Sequence, residues 1–505
     1  MPSNRMPSRP TGDWSIFRPV SVATSTGVDR KHGPVPCRGG RGAVPYARLW
    51  GIQSAFRAIA MFWIVGITCA GATAAEPEIW RAGVARAKIT PAAPMWMSGY
   101  AARDRPAEDT LNDLWAKALV IEDAGGHRVA LVTLDLVGID RRTSNRLRDR
   151  LQAEHGLSRS QVALCCSHTH SGPVVGNNLT AMYFLDKAGQ EQVAEYTEAL
   201  VETLVKLVGQ AKAALEPARL AWTTGHATFA ANRRNNPEAD VARLRAEGNL
   251  KGPVDHDVPV LAVSAADGDL TAVVFGYACH ATVLDGYQWS GDYPGFAQTA
   301  LEQSHPGVTA LFWAGCGADI NPLPRRQVEL ARDYGKRLAT AVDEALSGQR
   351  TPITGPLKSS YIEIELPFDK LPSTEQLKQE AASDNRYVAS RARLLLAEIE
   401  SGRPLAPTYP YPVQVWRLGG DVKWILLGGE VVVDYALELK HQLGPEATWV
   451  AGYTNDVMAY IPSRRVLGEG GYEGGGAMVY YGLPTVWAPQ VEGLIVAAVD
   501  QLLDL

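Results

Sequence analysis

The run QVALCC at 161–166 leads directly into Ser167-His168-Thr169-His170-Ser171-Gly172-Pro173. A short apolar run closed by small and turn-forming residues predicts a strand over Gln161–Cys166. In extended backbone, residues two apart point to the same face, so His168 and His170 project together beyond the strand. Two imidazoles on one side suit a metal or an acid–base site, although a pair of ordinary hydrogen-bonded histidines has the same spacing.

Outward from this stretch, apolar runs alternate with longer helical patterns. Strands are predicted at Arg128–Leu136, Arg219–Phe229, Pro259–Ser264, Leu270–Cys279, Val308–Trp313, Lys358–Leu366, Val413–Leu418, Val422–Leu427 and Thr448–Tyr453. Helices are predicted at Arg142–His155, Gln190–Lys212, Phe296–Gln303, Val328–Leu346, Thr374–Ser401, Val431–Gln442 and Val486–Leu502. The alternation implies an α/β protein, with mixed β-sheets covered by helices. No internal repeat or Ser/Gly linker interrupts it, and the polar stretch Leu366–Tyr411 reads as an excursion from the core.

The 505 residues are 46% hydrophobic and 20% charged, a globular composition that excludes a disordered polyampholyte or a stack of membrane spans. Residues 1–60 carry nine Arg/Lys against Asp13 and Asp29, so the rest, with 40 cationic and 52 anionic residues, is net −12. An acidic body of that size repels nucleic acid and anionic headgroups. The basic head precedes an uncharged run, AIAMFWIVGITCAGATAA, at 58–75, with Ala72-Thr73-Ala74 as a small-residue cleavage pattern. This is the layout of a signal peptide and predicts export to the periplasm or medium; an uncleaved anchor is the alternative. The expected organisation is an N-terminal extension at 1–57, a signal segment at 58–75 and one large catalytic domain at 76–505. Cys165, Cys166, Cys279 and Cys316 lie in or beside apolar runs and read as buried hydrophobes rather than a disulfide framework.

Three further positions repeat the layout of the histidine pair. His280 follows a predicted strand, Glu430 follows WILLGG and is expected to open a helix, and Tyr460 lies in the loop after TWVAGY. Loops beyond the carboxyl ends of strands gather ligands in α/β sheets, and a catalytic zinc site uses about four donors. Taken singly, these could be a core histidine, a first-turn carboxylate and a packed aromatic.

In sequence order, Met97-Ser98-Gly99-Tyr100-Ala101, the HTHSGP run at 168–173, Asn232-Arg233, Ala278-Cys279-His280-Ala281-Thr282, Ser290-Gly291-Asp292, GCGADINP at 315–322, Gly429-Glu430, and Tyr460 with Tyr472-Glu473-Gly474 resemble the neutral (non-lysosomal) ceramidase family. The resemblance covers almost all of residues 76–505 and implies the family's catalytic fold. It implies zinc (Zn2+) held by His168, His280, Glu430 and Tyr460, with water completing the set. It further implies that His170 relays a proton, that Arg233 and Tyr472 bind the substrate's carbonyl or hydroxyl oxygens, and that Gly99 allows close backbone approach. The implied reaction is hydrolysis of the N-acyl bond of ceramide or a related N-acyl lipid, a lipid-like substrate compatible with transient membrane contact.

This sequence departs from the family at Val174-Val175-Gly176, at Arg234 and in the expected lack of a C-terminal immunoglobulin-like domain. Arg233 and Arg234 also suit a solvated surface, and Asp292 and Asp319 read as turn or supporting carboxylates. The glycine-rich Gly468–Gly476 lacks the Lys-Ser/Thr of a phosphate loop and reads as a flexible rim carrying Tyr472. No GxSxG occurs, which lowers a serine-hydrolase reading built on Ser171. A zinc amidase or esterase for another acylated compound and a non-catalytic exported binding protein are the competing functions. Nothing in the sequence sets an oligomeric state.

Overall fold

Nine strands form a mixed sheet whose path runs 309–314, 270–277, 257–265, 216–226, 80–88, 115–122, 128–134 and 162–166, with 351–352 also pairing to 216–226. A second sheet contains 357–367, 408–418, 422–427 and 448–451 in that order. The computed structural model describes residues 80–504; the extension, the apolar run at 58–75, Cys37 and Cys69 lie outside the described residues.

Period-two alternation decides which side chains face where. Along Trp115–Glu122, Leu119 and Ile121 pack with Trp313, Trp416, Trp424 and Trp449, the layer between the two sheets. Ala116, Ala118 and Val120 point the other way, into the core that includes Leu200, Leu204 and Val208 of helix Lys187–Ala213. Helices Val433–Leu443 and Val491–Leu503 pack against the second sheet. Two sheets thus lie face to face with helices outside them. The four cysteines among the described residues, Cys165, Cys166, Cys279 and Cys316, are reduced and buried, as their apolar surroundings imply.

Several expectations need correction. The single helix predicted over Thr374–Ser401 is two, Thr374–Ala381 and Arg386–Glu400. Between them stand Ser383, Asp384 and Asn385, residues that favour caps over helix interiors; the Asn385 side chain accepts from the Tyr387 and Val388 amides. Glu430 does not open a helix: Glu430–Val431 is a short strand paired in parallel with Tyr460–Ile461, and the helix starts at Val433. Tyr460 consequently sits in a strand rather than in a loop. The glycine-rich rim contains a π-helical turn, Tyr472–Gly476. Strands Trp80–Lys88 and Trp115–Glu122 escaped prediction because Arg81, Arg86, Lys88 and Lys117 interrupt their apolar runs.

Candidate metal centre

Strand pairs 128–134/162–166, 270–277/309–314 and 422–427/448–451 are each parallel, so each pair sends its loops off the same end. Isolated bridges Cys165↔Thr454 and Gly315↔Ala451 join these ends across the two sheets. The loops carrying His168, His280 and Glu430 leave one seam, as the rule for α/β strand ends anticipates.

His168 has φ +60°, in the left-handed region, so the two-residue alternation that motivated pairing it with His170 does not hold there. A turn brings the rings together instead, with Nε2 atoms 3.1 Å apart. His168 Nδ1 lies 2.6 Å from the Val137 carbonyl and His280 Nδ1 lies 2.7 Å from the Gly317 carbonyl. A carbonyl can only accept, so each Nδ1 carries a proton and each neutral ring turns a lone pair outward at Nε2. Burial, then the Arg233 charge, pulls His280 down to about 4, which keeps that ring neutral at pH 7.

Both bare nitrogens face Glu430, whose Oε2 is 3.2 Å from each and receives no hydrogen bond from the described residues. Its other oxygen, Oε1, accepts from the Tyr481 hydroxyl. Tyr460, the register partner of Glu430, places its hydroxyl 3.3 Å from His280 Nε2. Three lone-pair donors thus converge on one point with no hydrogen among them, an arrangement that costs several kcal/mol of repulsion and desolvation unless a cation lies between. Two imidazoles, a carboxylate and a phenol oxygen fit a divalent metal of the zinc type. Burial, then Glu430, keeps the Tyr460 hydroxyl well above its ordinary pKa; a dication would reverse that. The ring nitrogens of His168, His170 and His280 also lie within 4.8 Å of one another.

Above these buried donors the groups become wetter. His170 is half-buried, Arg233 is 20% exposed and Tyr472 is 38% exposed. Burial, then His168 and His280, holds His170 well below the usual histidine range, and its Nδ1 has no hydrogen-bond partner among the described residues. Arg233 Nη2 donates to the Tyr460 hydroxyl at 3.1 Å, and Nε donates to Glu473 at 2.7 Å. Burial opposes the Arg233 charge, but Tyr460 and Glu473 outweigh it and hold the group well above its ordinary value. Tyr472 packs edge-on to Tyr460 with centroids 5.2 Å apart. At Gly99, φ is +97° and a Cβ would stand 2.5 Å from the His170 ring, so only glycine fits.

The structure therefore brings together all eight residues singled out in the sequence. Asp292 and Asp319 stand apart as supports: Asp292 accepts from the Leu284 and Tyr293 amides, and Asp319 from the Val433 amide and Asn232. Sequence reasoning missed Tyr481 and Arg103, whose guanidinium binds the carbonyls of Ser98 and His170. It also missed Glu473 as the anchor of Arg233 and Arg234. Only Glu473 carried a signal, its place beside Tyr472. A surface groove of ≈ 880 Å³ between helix Arg141–His155 and Tyr409 is lined by none of these residues.

Fold and cluster together define a mixed α/β protein with a metal-ligating centre at its strand ends. The chain belongs to the family described as neutral/alkaline non-lysosomal ceramidase, N-terminal, whose sequence profile matches residues 80–364. It is 26% identical over 345 residues to the neutral ceramidase of Pseudomonas aeruginosa, covering 63% of this chain and 49% of that one. Neutral ceramidase 2 of Arabidopsis thaliana is 28% identical over 279 residues, 52% of this chain and 34% of the relative. The chain thus spans about half or less of the length of these curated relatives. A crystal structure of the Pseudomonas aeruginosa neutral ceramidase superposes with TM-score 0.64 at 20% identity, over 85% of this chain and 74% of that one. That likeness is one of fold.

Proposed function

We propose that this protein is a zinc-dependent amide hydrolase that cleaves the N-acyl bond of ceramide or a related N-acyl lipid to a fatty acid and an amine. The observation that carries the reading is the convergence of His168 Nε2, His280 Nε2, Glu430 Oε2 and the Tyr460 hydroxyl, with no hydrogen shared among the first three. Zinc bound there supplies Lewis acidity and brings the pKa of water toward ~7. His170, neutral and half-buried beside the donors, takes a proton from the attacking water and returns it to the amine nitrogen as the C–N bond breaks. Arg233 and Tyr472 line the wetter side and donate to the carbonyl oxygen as negative charge builds on it. Gly99 lets the His170 ring sit against the backbone and so fixes its position. The basic head and apolar run at 48–75 support export as part of the same reading.

The purified protein should contain stoichiometric zinc, lose activity to a chelator and release fatty acid from ceramides in a panel that includes N-acyl amino acids and acyl esters. Absence of bound zinc with chelator-insensitive turnover would refute the metal chemistry, and release from esters alone would refute the amide. His170→Ala should retain zinc while turnover falls ~10²–10⁴-fold, the span of acid–base groups. Loss of zinc in that variant would make His170 a ligand.

A further inference from the structure

Four large hydrophobic side chains are exposed among the described residues: Phe184 at 42%, Leu394 at 38%, Tyr472 at 38% and Leu494 at 39%. Isolated cases need no explanation, but three of these belong to one continuous rim. From Tyr460 at the metal centre, ring centroids step 5.2 Å to Tyr472, 6.2 Å to Tyr480, 5.1 Å to Tyr387 and 5.8 Å to Phe184. Leu394 lies seven residues after Tyr387, two turns along the same face of helix Arg386–Glu400. Its terminal methyl lies 3.7 Å from where a Cβ on Gly482 would stand, beside the Tyr480 turn.

The hydroxyl of Tyr387 is spent on the Ala101 carbonyl at 2.6 Å, so this residue offers the rim its ring. At the outer end the Arg386 guanidinium stacks 3.6 Å over Phe184, where the apolar line meets water. A row of contiguous rings that starts at a reacting centre and ends at solvent matches a long unbranched apolar ligand. Polar substrates would gain nothing from its outer half.

We propose that Tyr472, Tyr480, Tyr387, Phe184 and Leu394 form the track that holds one linear hydrocarbon chain of the substrate. This rests on the amide-hydrolase reading and deepens it, assigning chain-length selection to Phe184 together with Tyr387 and Leu394 of helix Arg386–Glu400. Both the acyl chain and the chain of the amine have the required chemistry.

The test uses the zinc-loaded full chain and F184A/L394A, a variant altered only at exposed positions. Substrates are acetyl, hexanoyl and palmitoyl amides of sphingosine, and the palmitoyl amide of a short amine. The kcat/KM ratio of palmitoyl to acetyl should fall about tenfold or more in the variant, because apolar contact with the distal methylenes is lost. If that ratio holds but the ratio of long to short amine falls, the amine chain occupies the track. Unchanged ratios on both series overturn the proposal, as does an equal loss on every substrate. If wild-type protein cleaves none of the amides, the hydrolase reading fails separately and binding of a fluorescent long-chain fatty acid decides. Weaker binding by the variant then supports the track, and equal binding overturns it.

Discussion

Tyr481 shows how much of the centre depends on one hydroxyl. Its O–H donates to Glu430 Oε1, which leaves Oε2 aimed between His168 and His280. Burial, then Glu430, holds the Tyr481 hydroxyl well above its ordinary pKa, so it stays a donor. Partners of this kind orient ligands, and their loss typically weakens metal binding ~10–100-fold. Tyr481→Phe should therefore keep the circular dichroism of the wild type while its zinc affinity, read by competition with a chelator, drops by about that factor. Unchanged affinity would mean that the strand pairing of Glu430 with Tyr460 fixes the carboxylate alone. The four proposed ligands were legible through the family motifs that carry them, since their places after apolar runs suit ordinary core and capping residues equally well. Tyr481 was not, since it reaches Glu430 across 51 residues through a glycine-rich turn whose path no spacing reveals.

At the scale of elements, the excursion between 374 and 400 behaves as a unit with its own small core of Leu377, Ala392 and Leu395. Helix Arg386–Glu400 begins at Asn385, whose side chain satisfies two orphan amides of the first turn. Asn385→Ala should cost about 1 kcal/mol of stability, seen as a lower urea midpoint, with zinc content unchanged because this helix supplies no ligand. A loss of zinc would instead tie the excursion to the metal centre. Ser383, Asp384 and Asn385 mark the break in the sequence, but apolar residues keep a helical spacing on both sides of it and so mask those cap-favouring residues. Apolar runs do fix strands, and Val422–Leu427 falls where its run predicts. The strand pair Glu430–Val431 and Tyr460–Ile461 is two residues long, too short to leave a pattern, and its existence depends on the loops that meet there.

For the molecule as a whole, packing two sheets face to face places ionisable groups where water cannot reach them. Burial lifts the Asp456 carboxyl from 3.8 to about 7, and the Tyr409 hydroxyl donating to it at 2.7 Å, with Arg141 nearby, offsets only part of this. In the unfolded chain the carboxyl titrates in its ordinary range, so between the two values the native state holds a proton that the unfolded state has released. The contribution to stability is therefore full below about pH 4 and is lost as pH rises through about 7, a change of roughly 4 kcal/mol for a shift of about three units. Asp292, lifted by burial to about 6, acts in the same direction. The urea midpoint of the wild type should fall between about pH 5 and pH 8. Asp456→Asn keeps an oxygen for Tyr409 and has no charge to desolvate, so its midpoint should exceed the wild type's at pH 8 and its fall across the range should be smaller. Asp456 is not among the proposed ligands, so loss of a bound metal at low pH would affect both proteins alike and the difference between their slopes isolates this carboxyl. Parallel slopes would mean that Asp456 is ionised in the native protein and that water or Arg141 reaches it.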